Sequence, residues 1–98
     1  MIEDYLKKQI EWSKETFGDT KRTEGILKHI AKECDEVRED PEDLVEWVDI
    51  IILALDGYWR HGGTPEMLMH YLENKLWINQ QRIYPKVNDD EPSQHLEG

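Results

Sequence analysis

The sequence predicts an all-α fold, with four helices forming a bundle that is completed by oligomerisation. Three observations carry that expectation. No segment alternates apolar and polar residues with the period of two that a half-buried strand requires. Four stretches instead repeat apolar residues every three to four positions, the period of an amphipathic helix. Stop and start signals separate them, at Gly18, Pro41, Gly62-Gly63-Thr64-Pro65 and Pro85.

The first helix runs from about Glu3 to Phe17, with Ile2, Leu6, Ile10, Ser13 and Phe17 on one stripe, and Gly18-Asp19 ends it. The second starts near Thr23 and ends near Glu39, with Leu27, Ile30, Cys34 and Val37 as its core stripe. The third opens with Asp40-Pro41-Glu42-Asp43, read as a capping aspartate, a proline at the first helical position and acids in the first turn. It continues to about Arg60 and stops at His61-Gly62-Gly63. Thr64-Pro65-Glu66 repeats the start signal, and the fourth helix extends to about Ile83, before Pro85. Residues 1–85 read as one domain. Residues 86–98 are polar and acidic, lack periodicity and read as a disordered tail.

The third helix carries a further expectation. Leu44, Val48, Ile51, Ile52, Leu55 and Trp59 form a broad apolar stripe, yet Trp47, Ile50 and Leu53 occupy the other side. A helix that is apolar almost all round is normally buried on both faces. Three neighbours of similar length cannot surround it, so a second subunit is expected to cover the remaining face.

Composition narrows the function. A 98-residue chain makes one small domain, which buries only about 60–70% of its unfolded surface and gains from oligomerisation. The net charge of −10 argues against nucleic-acid backbones and anionic membranes as partners. It leaves a nucleotide open, because bound metal and a few local cations can meet its phosphates. The single cysteine, Cys34, excludes an internal disulfide and fits a reducing cytoplasm. Residues 1–10 do not read as a signal peptide, and the longest apolar run, Ile50 to Leu55, is too short to span a bilayer. A cytoplasmic location follows as an expectation.

The acids are the chemistry-bearing feature. From Glu33 to Asp49 there are nine acidic residues and one basic residue, Arg38. Glu33 and Glu36, and Glu46 and Asp49, form two pairs with i, i+3 spacing placed symmetrically about the Asp40-Pro41 step. If the flanking helices fold back antiparallel, Glu36 lies level with Glu46 and Glu33 with Asp49, each pair on one helical face. Four converging carboxylates repel one another and resist losing water. A hard divalent cation, Mg²⁺ first and Mn²⁺ as a substitute, relieves that repulsion. Asp35, Glu39, Glu42 and Asp43 fall outward or in a first helical turn and read as solvated. Asp56, one heptad beyond Asp49, is either an accessory ligand or a structural acid. A di-iron carboxylate bundle would need Glu-x-x-His on two helices, and none of His29, His61, His70 or His95 sits three residues after a glutamate. One cysteine and scattered histidines do not supply a zinc site.

Glu33-x-x-Glu36 followed by Glu46-x-x-Asp49 resembles the metal motif of the MazG-like, all-α nucleoside triphosphate pyrophosphohydrolases. Trp12-Ser-Lys-Glu-Thr-Phe-Gly18, Arg22-Thr-Glu-Gly25, His29-Ile-Ala-Lys-Glu33 and Glu46-Trp-Val-Asp-Ile-Ile-Ile-Leu-Ala-Leu-Asp-Gly57 are similar to the small dATP/dGTP diphosphohydrolase branch found in phages and bacteria. The resemblance covers about residues 10–85. The nine residues between the acid pairs are fewer than in the general MazG pattern, a short hairpin that this branch shares.

Lys75, Asn79 and Arg82 follow i, i+4, i+7 spacing. They form either a solvated face or counter-charges for a leaving pyrophosphate, and the resembling family carries a similar series. On the first helix, Gln9, Trp12 and Thr16 lie together. Trp12 suits stacking on a base, with Thr16 beside it, although a tryptophan there is more often core. His29 reads as a neighbour of the acids or a structural histidine, Lys32 and Arg22 as weaker phosphate candidates, and Cys34 as packing.

These readings converge on an Mg²⁺-dependent hydrolase, dimeric or tetrameric, that cuts a (deoxy)nucleoside triphosphate into monophosphate and pyrophosphate. Glu33 or Glu36 would act as base or water-orienter besides binding metal. The preference for dATP or dGTP is implied by the resemblance only. The alternative is a non-catalytic helical module that holds metal and nucleotide, or a protein partner, without turnover.

Overall fold

The computed structural model describes residues 1–82, 84–86 and 89–93, and among these it has four α-helices and no strand. The helices are α1 (Ile2–Phe17), α2 (Thr23–Glu39), α3 (Leu44–Arg60) and α4 (Pro65–Gln81). The chain divides into two units, Met1–Leu68 and Met69–Gly98.

In the first unit, α2 and α3 form the most extensive pair, folded back antiparallel across the short Asp40–Asp43 connection, and α1 lies on α3. The core gathers Leu6, Leu55, Trp59 and Leu68, with Ile2, Ile10 and Tyr58 packed against it. Leu6 has no exposed surface. Burying an aliphatic side chain of this size contributes about 1.5–3 kcal/mol.

The helix ends follow local chemistry. Gly18 takes φ 81°, ψ −172° after α1, a conformation that only glycine adopts without strain, and its N–H donates to the Lys14 carbonyl. The expected start of α3 is corrected. Asp40 closes α2 instead of capping α3, and its carbonyl accepts from the Asp43 N–H at 3.1 Å, so Pro41 sits inside a turn. The cap is Asp43, whose carboxylate accepts from the Val45 N–H at 3.1 Å. The Trp47 indole N–H donates to the Pro41 carbonyl at 3.0 Å, which pins the turn to the new helix. Past α3, Gly62 has φ 104°, and Gly63 passes so close to the Tyr58 ring that a Cβ there would collide with it. Thr64 then starts α4, its hydroxyl accepting from the Met67 N–H at 3.3 Å.

The stripes of α1, α2 and α3 each differ from expectation. On α2 the buried residues are Ile26, Glu33 and Val37, whereas Leu27 is exposed, so the inward face is turned by one position and carries an acid within it. On α1, Leu6 and Ser13 are buried as expected, but Phe17 is half exposed and Gln9, outside the expected stripe, is buried. On α3 only the C-terminal half is covered within the chain. Leu55 and Trp59 are buried as expected, but Leu44, Val48 and Ile51 of the expected inward stripe are exposed together with Trp47. Ile50 and Leu53 from the other side are half-buried, so the open face of α3 is not the one the spacing indicated.

In the second unit, α4 continues to Gln81, two residues short of the expected end, and Ile83 itself lies outside the described residues. Met69, Tyr71, Leu72, Leu76 and Trp77 are exposed along it. Of residues 86–98, only 86 and 89–93 are described, and these are exposed and belong to no helix or strand.

Candidate metal centre

The antiparallel pairing of α2 and α3 brings the two acid pairs together. One carboxylate oxygen each from Glu33, Glu46 and Asp49 lies within 4.8 Å of the others. Glu36 stands beside this group, near enough to Glu33 and Glu46 to raise the pKa of both. The acids meet as the symmetric spacing requires, because equal offsets on either side of an antiparallel turn fall at the same height.

The electrostatics are those of crowded, partly desolvated carboxylates. Glu33 has its pKa raised above 4.5 by its hydrogen bond with Glu36, by burial, and by the charges of Glu36 and Asp49, with His29 partly opposing. Glu46 is raised by burial first, then by Glu36 and by the charges of Asp49 and Asp43. His29 Nε2 stands 3.2 Å from Glu33 Oε1, which makes this histidine a partner of the acid. The other oxygen, Glu33 Oε2, is buried with no hydrogen-bond partner, and so is Glu46 Oε2. Buried polar atoms without partners are costly and uncommon. Two such oxygens facing one acid cluster fit an all-oxygen site for a hard cation such as Mg²⁺.

A cleft of about 410 Å³ between α1, α2 and α3 has Glu33 and Asp49 in its wall. Trp12 and Phe17 line the α1 side, edge to face with centroids 5.6 Å apart. Trp12 is exposed and presents its ring to the cleft rather than to the core. Thr16 is also exposed, and its hydroxyl donates to the Trp12 carbonyl one turn back at 2.8 Å. Arg22 lines the same cleft, its guanidinium 4.8 Å from the centre of the Phe17 ring. Lys75 and Asn79 lie on α4 in the second unit, and Arg82 follows it, its backbone N–H donating to the Asn79 carbonyl at 3.2 Å.

Bordering the cleft at Ser13 and Asp56 is a buried polar network that the sequence reading missed. Asp56 accepts from the Trp59 indole at 2.7 Å and from Arg60 Nε at 3.0 Å. Arg60 also donates to the Ser13 hydroxyl at 2.9 Å and to the Thr20 carbonyl at 2.7 Å. Burial pushes the Asp56 carboxyl up, but the hydrogen bonds from Trp59, Ser13 and Arg60 and the Arg60 charge outweigh it and hold it below 3.8. Asp56 thus has the partners of a structural acid, and it also lines the cleft. The i, i+4 spacing of Asp56 and Arg60 was the available signal.

Comparison with known proteins agrees with this geometry. The model of a family described as dATP/dGTP pyrophosphohydrolase matches residues 5–98, and so runs through the acidic C-terminal residues as well as the helices. The Eaa protein of Salmonella phage P22 is 38% identical over 90 residues, a stretch that covers 92% of this chain and 28% of that protein. The chain thus spans little more than a quarter of the length of this curated relative. No solved structure matches the chain.

Proposed function

The chain belongs to the dATP/dGTP pyrophosphohydrolase family, a family of nucleotide diphosphatases, and we propose that it hydrolyses dATP or dGTP to the monophosphate and pyrophosphate with Mg²⁺ as cofactor. The observation that carries this reading is the convergence of Glu33, Glu46 and Asp49, with Glu36 beside them and two buried unpartnered oxygens, next to an aromatic-lined cleft. The cleft volume is in the range of small-molecule sites, about 300–1,000 Å³.

The four carboxylates would hold the cation. A bound Mg²⁺ supplies Lewis-acid polarisation of the phosphate and lowers the pKa of water. The protein's own groups do the rest. Water oxygen bonds to the α-phosphorus, the bridge to the β-phosphate breaks, and pyrophosphate leaves with that electron pair. Glu33 or Glu36 accepts the proton from the attacking water. Lys75 and Arg82 offset charge on the departing pyrophosphate, and Asn79 adds a neutral donor. Trp12 supplies a stacking face for the base, with Thr16 one turn further on α1.

A second copy of the chain covers the exposed Leu44, Trp47, Val48 and Ile51 face of α3, giving a homodimer or homotetramer. The net charge of −10 disfavours nucleic acid and anionic membranes as further partners. No helix among the described residues is long and apolar enough to cross a membrane, and the proposed site of action is the cytoplasm.

The test is a panel of purine and pyrimidine nucleoside triphosphates with Mg²⁺. Pyrophosphate release, with dATP or dGTP preferred, supports the reading. Orthophosphate release, or heat protection by nucleotide without any product, contradicts it.

A further inference from the structure

We propose that Gln9 is a specificity-determining residue, whose carboxamide oxygen accepts a hydrogen bond from the exocyclic amino group of a purine base. This rests on the nucleotide-hydrolysing reading above. Gln9 is 7% exposed and lines the same cleft as Trp12, Glu33 and Asp49. It precedes Trp12 by three positions on α1, so the two side chains are neighbours on one helical face.

Its amide has a fixed orientation. Nε2 donates to the Ile52 carbonyl on α3 at 2.9 Å, and the flipped amide would set oxygen against oxygen. That bond leaves Oε1 buried and without a partner. Apart from Glu33 of the acid cluster, the other buried polar groups bordering the cleft have partners. Ser13 accepts from Arg60, and Asp56 accepts from Trp59 and Arg60. Outside the metal centre, Gln9 Oε1 is the unpartnered buried side-chain oxygen among the described residues.

An acceptor shielded from water and lacking a donor is unfavourable in the empty protein, and an N–H brought by a ligand removes that penalty. A base stacked on Trp12 would present its polar edge toward the neighbouring position on α1. Adenine and guanine both carry an exocyclic amino group, and purines lacking it would leave Oε1 bare. Sites built to hydrogen-bond a substrate group discriminate strongly against analogues without it.

The experiment measures kcat/KM for pyrophosphate release on two pairs of substrates that differ by one amino group. These are dATP against purine-2′-deoxyriboside triphosphate, and dGTP against dITP. Wild type should lose about 10–100-fold when the amino group is removed in at least one pair. Gln9→Met, close in length, should bring that ratio to within about twofold, a change that a merely structural tie to Ile52 would not produce. Gln9→Asn, which withdraws the oxygen by one methylene, is the second variant should Gln9→Met not fold. Equal kcat/KM in both wild-type pairs, or a ratio that survives in the Gln9 variants, overturns the assignment while leaving the hydrolase reading intact. Absence of pyrophosphate from both dATP and dGTP overturns the hydrolase reading and this inference with it.

Discussion

Asp56 and Arg60 form a buried ion pair one turn apart on α3, with Arg60 Nε 3.0 Å from Asp56 Oδ2 and the Arg60 side chain wholly inaccessible. The arginine extends from this pair to Ser13 on α1 and to the Thr20 carbonyl in the α1–α2 connection, tying both to α3. Arg60→Ala removes the positive partner and leaves Asp56 uncompensated. The expected cost is about 3–5 kcal/mol, measured by urea unfolding, and Arg60→Lys should recover little because a single ammonium cannot reproduce three directed bonds.

The same pair sets an acid limb. Asp56 has a folded pKa below its ordinary value of 3.8, so the unfolded chain binds its proton more readily. Its contribution is therefore present above about pH 4 and lost as pH falls through the lowered folded value. Asp56→Asn should flatten that part of the stability curve, which thermal melts between about pH 2 and 5 would reveal. An unchanged slope would mean that other acids dominate.

At the metal centre, Glu36→Gln and Asp49→Asn each remove one charge from a cluster that repels itself. Without metal both variants should melt at or above the wild-type temperature. With Mg²⁺ the wild type should gain stability by mass action and the variants should gain less. Turnover at limiting Mg²⁺ should be lost in both; near-normal activity would sink the ligand assignment.

Lys75→Ala and Arg82→Ala should slow turnover by about 10²–10³-fold if each resembles loss of one charge-stabilising donor, with Asn79→Ala milder. Melting temperatures should stay close to wild type, since surface substitutions usually shift stability by no more than about 0.5 kcal/mol. Unchanged kinetics would identify a solvated face.

Gly63→Ala should destabilise by about 1–3 kcal/mol, because the new methyl collides with the Tyr58 ring that packs against the core. Leu6→Ala should cost more, about 2–5 kcal/mol, since Leu6 has no exposed surface.

What could be read in the sequence follows a physical division. Helix existence and the meeting of Glu33 with Glu46 and Asp49 are local or symmetric properties, and spacing alone expresses them. The cap of α3 was misplaced because Asp40-Pro41 satisfies both a turn and a helix start, and only the competing Asp43–Val45 hydrogen bond decides between them. The buried face of α2 was misjudged by one position because Glu33 was excluded from an apolar stripe that in fact contains it. Gln9 and Arg60 find their partners across 43 and 47 residues, at Ile52 and Ser13, a distance that no periodicity encodes.

Hydrolysis of dATP in ¹⁸O-labelled water with Mg²⁺, products resolved by ³¹P NMR, tests the central claim most directly. Water attack at the α-phosphorus predicts deoxyadenosine monophosphate carrying the label and unlabelled pyrophosphate, with dGTP behaving alike and Glu36→Gln forming neither product. Label in pyrophosphate or orthophosphate, or no turnover of either nucleotide by the wild type, would contradict it.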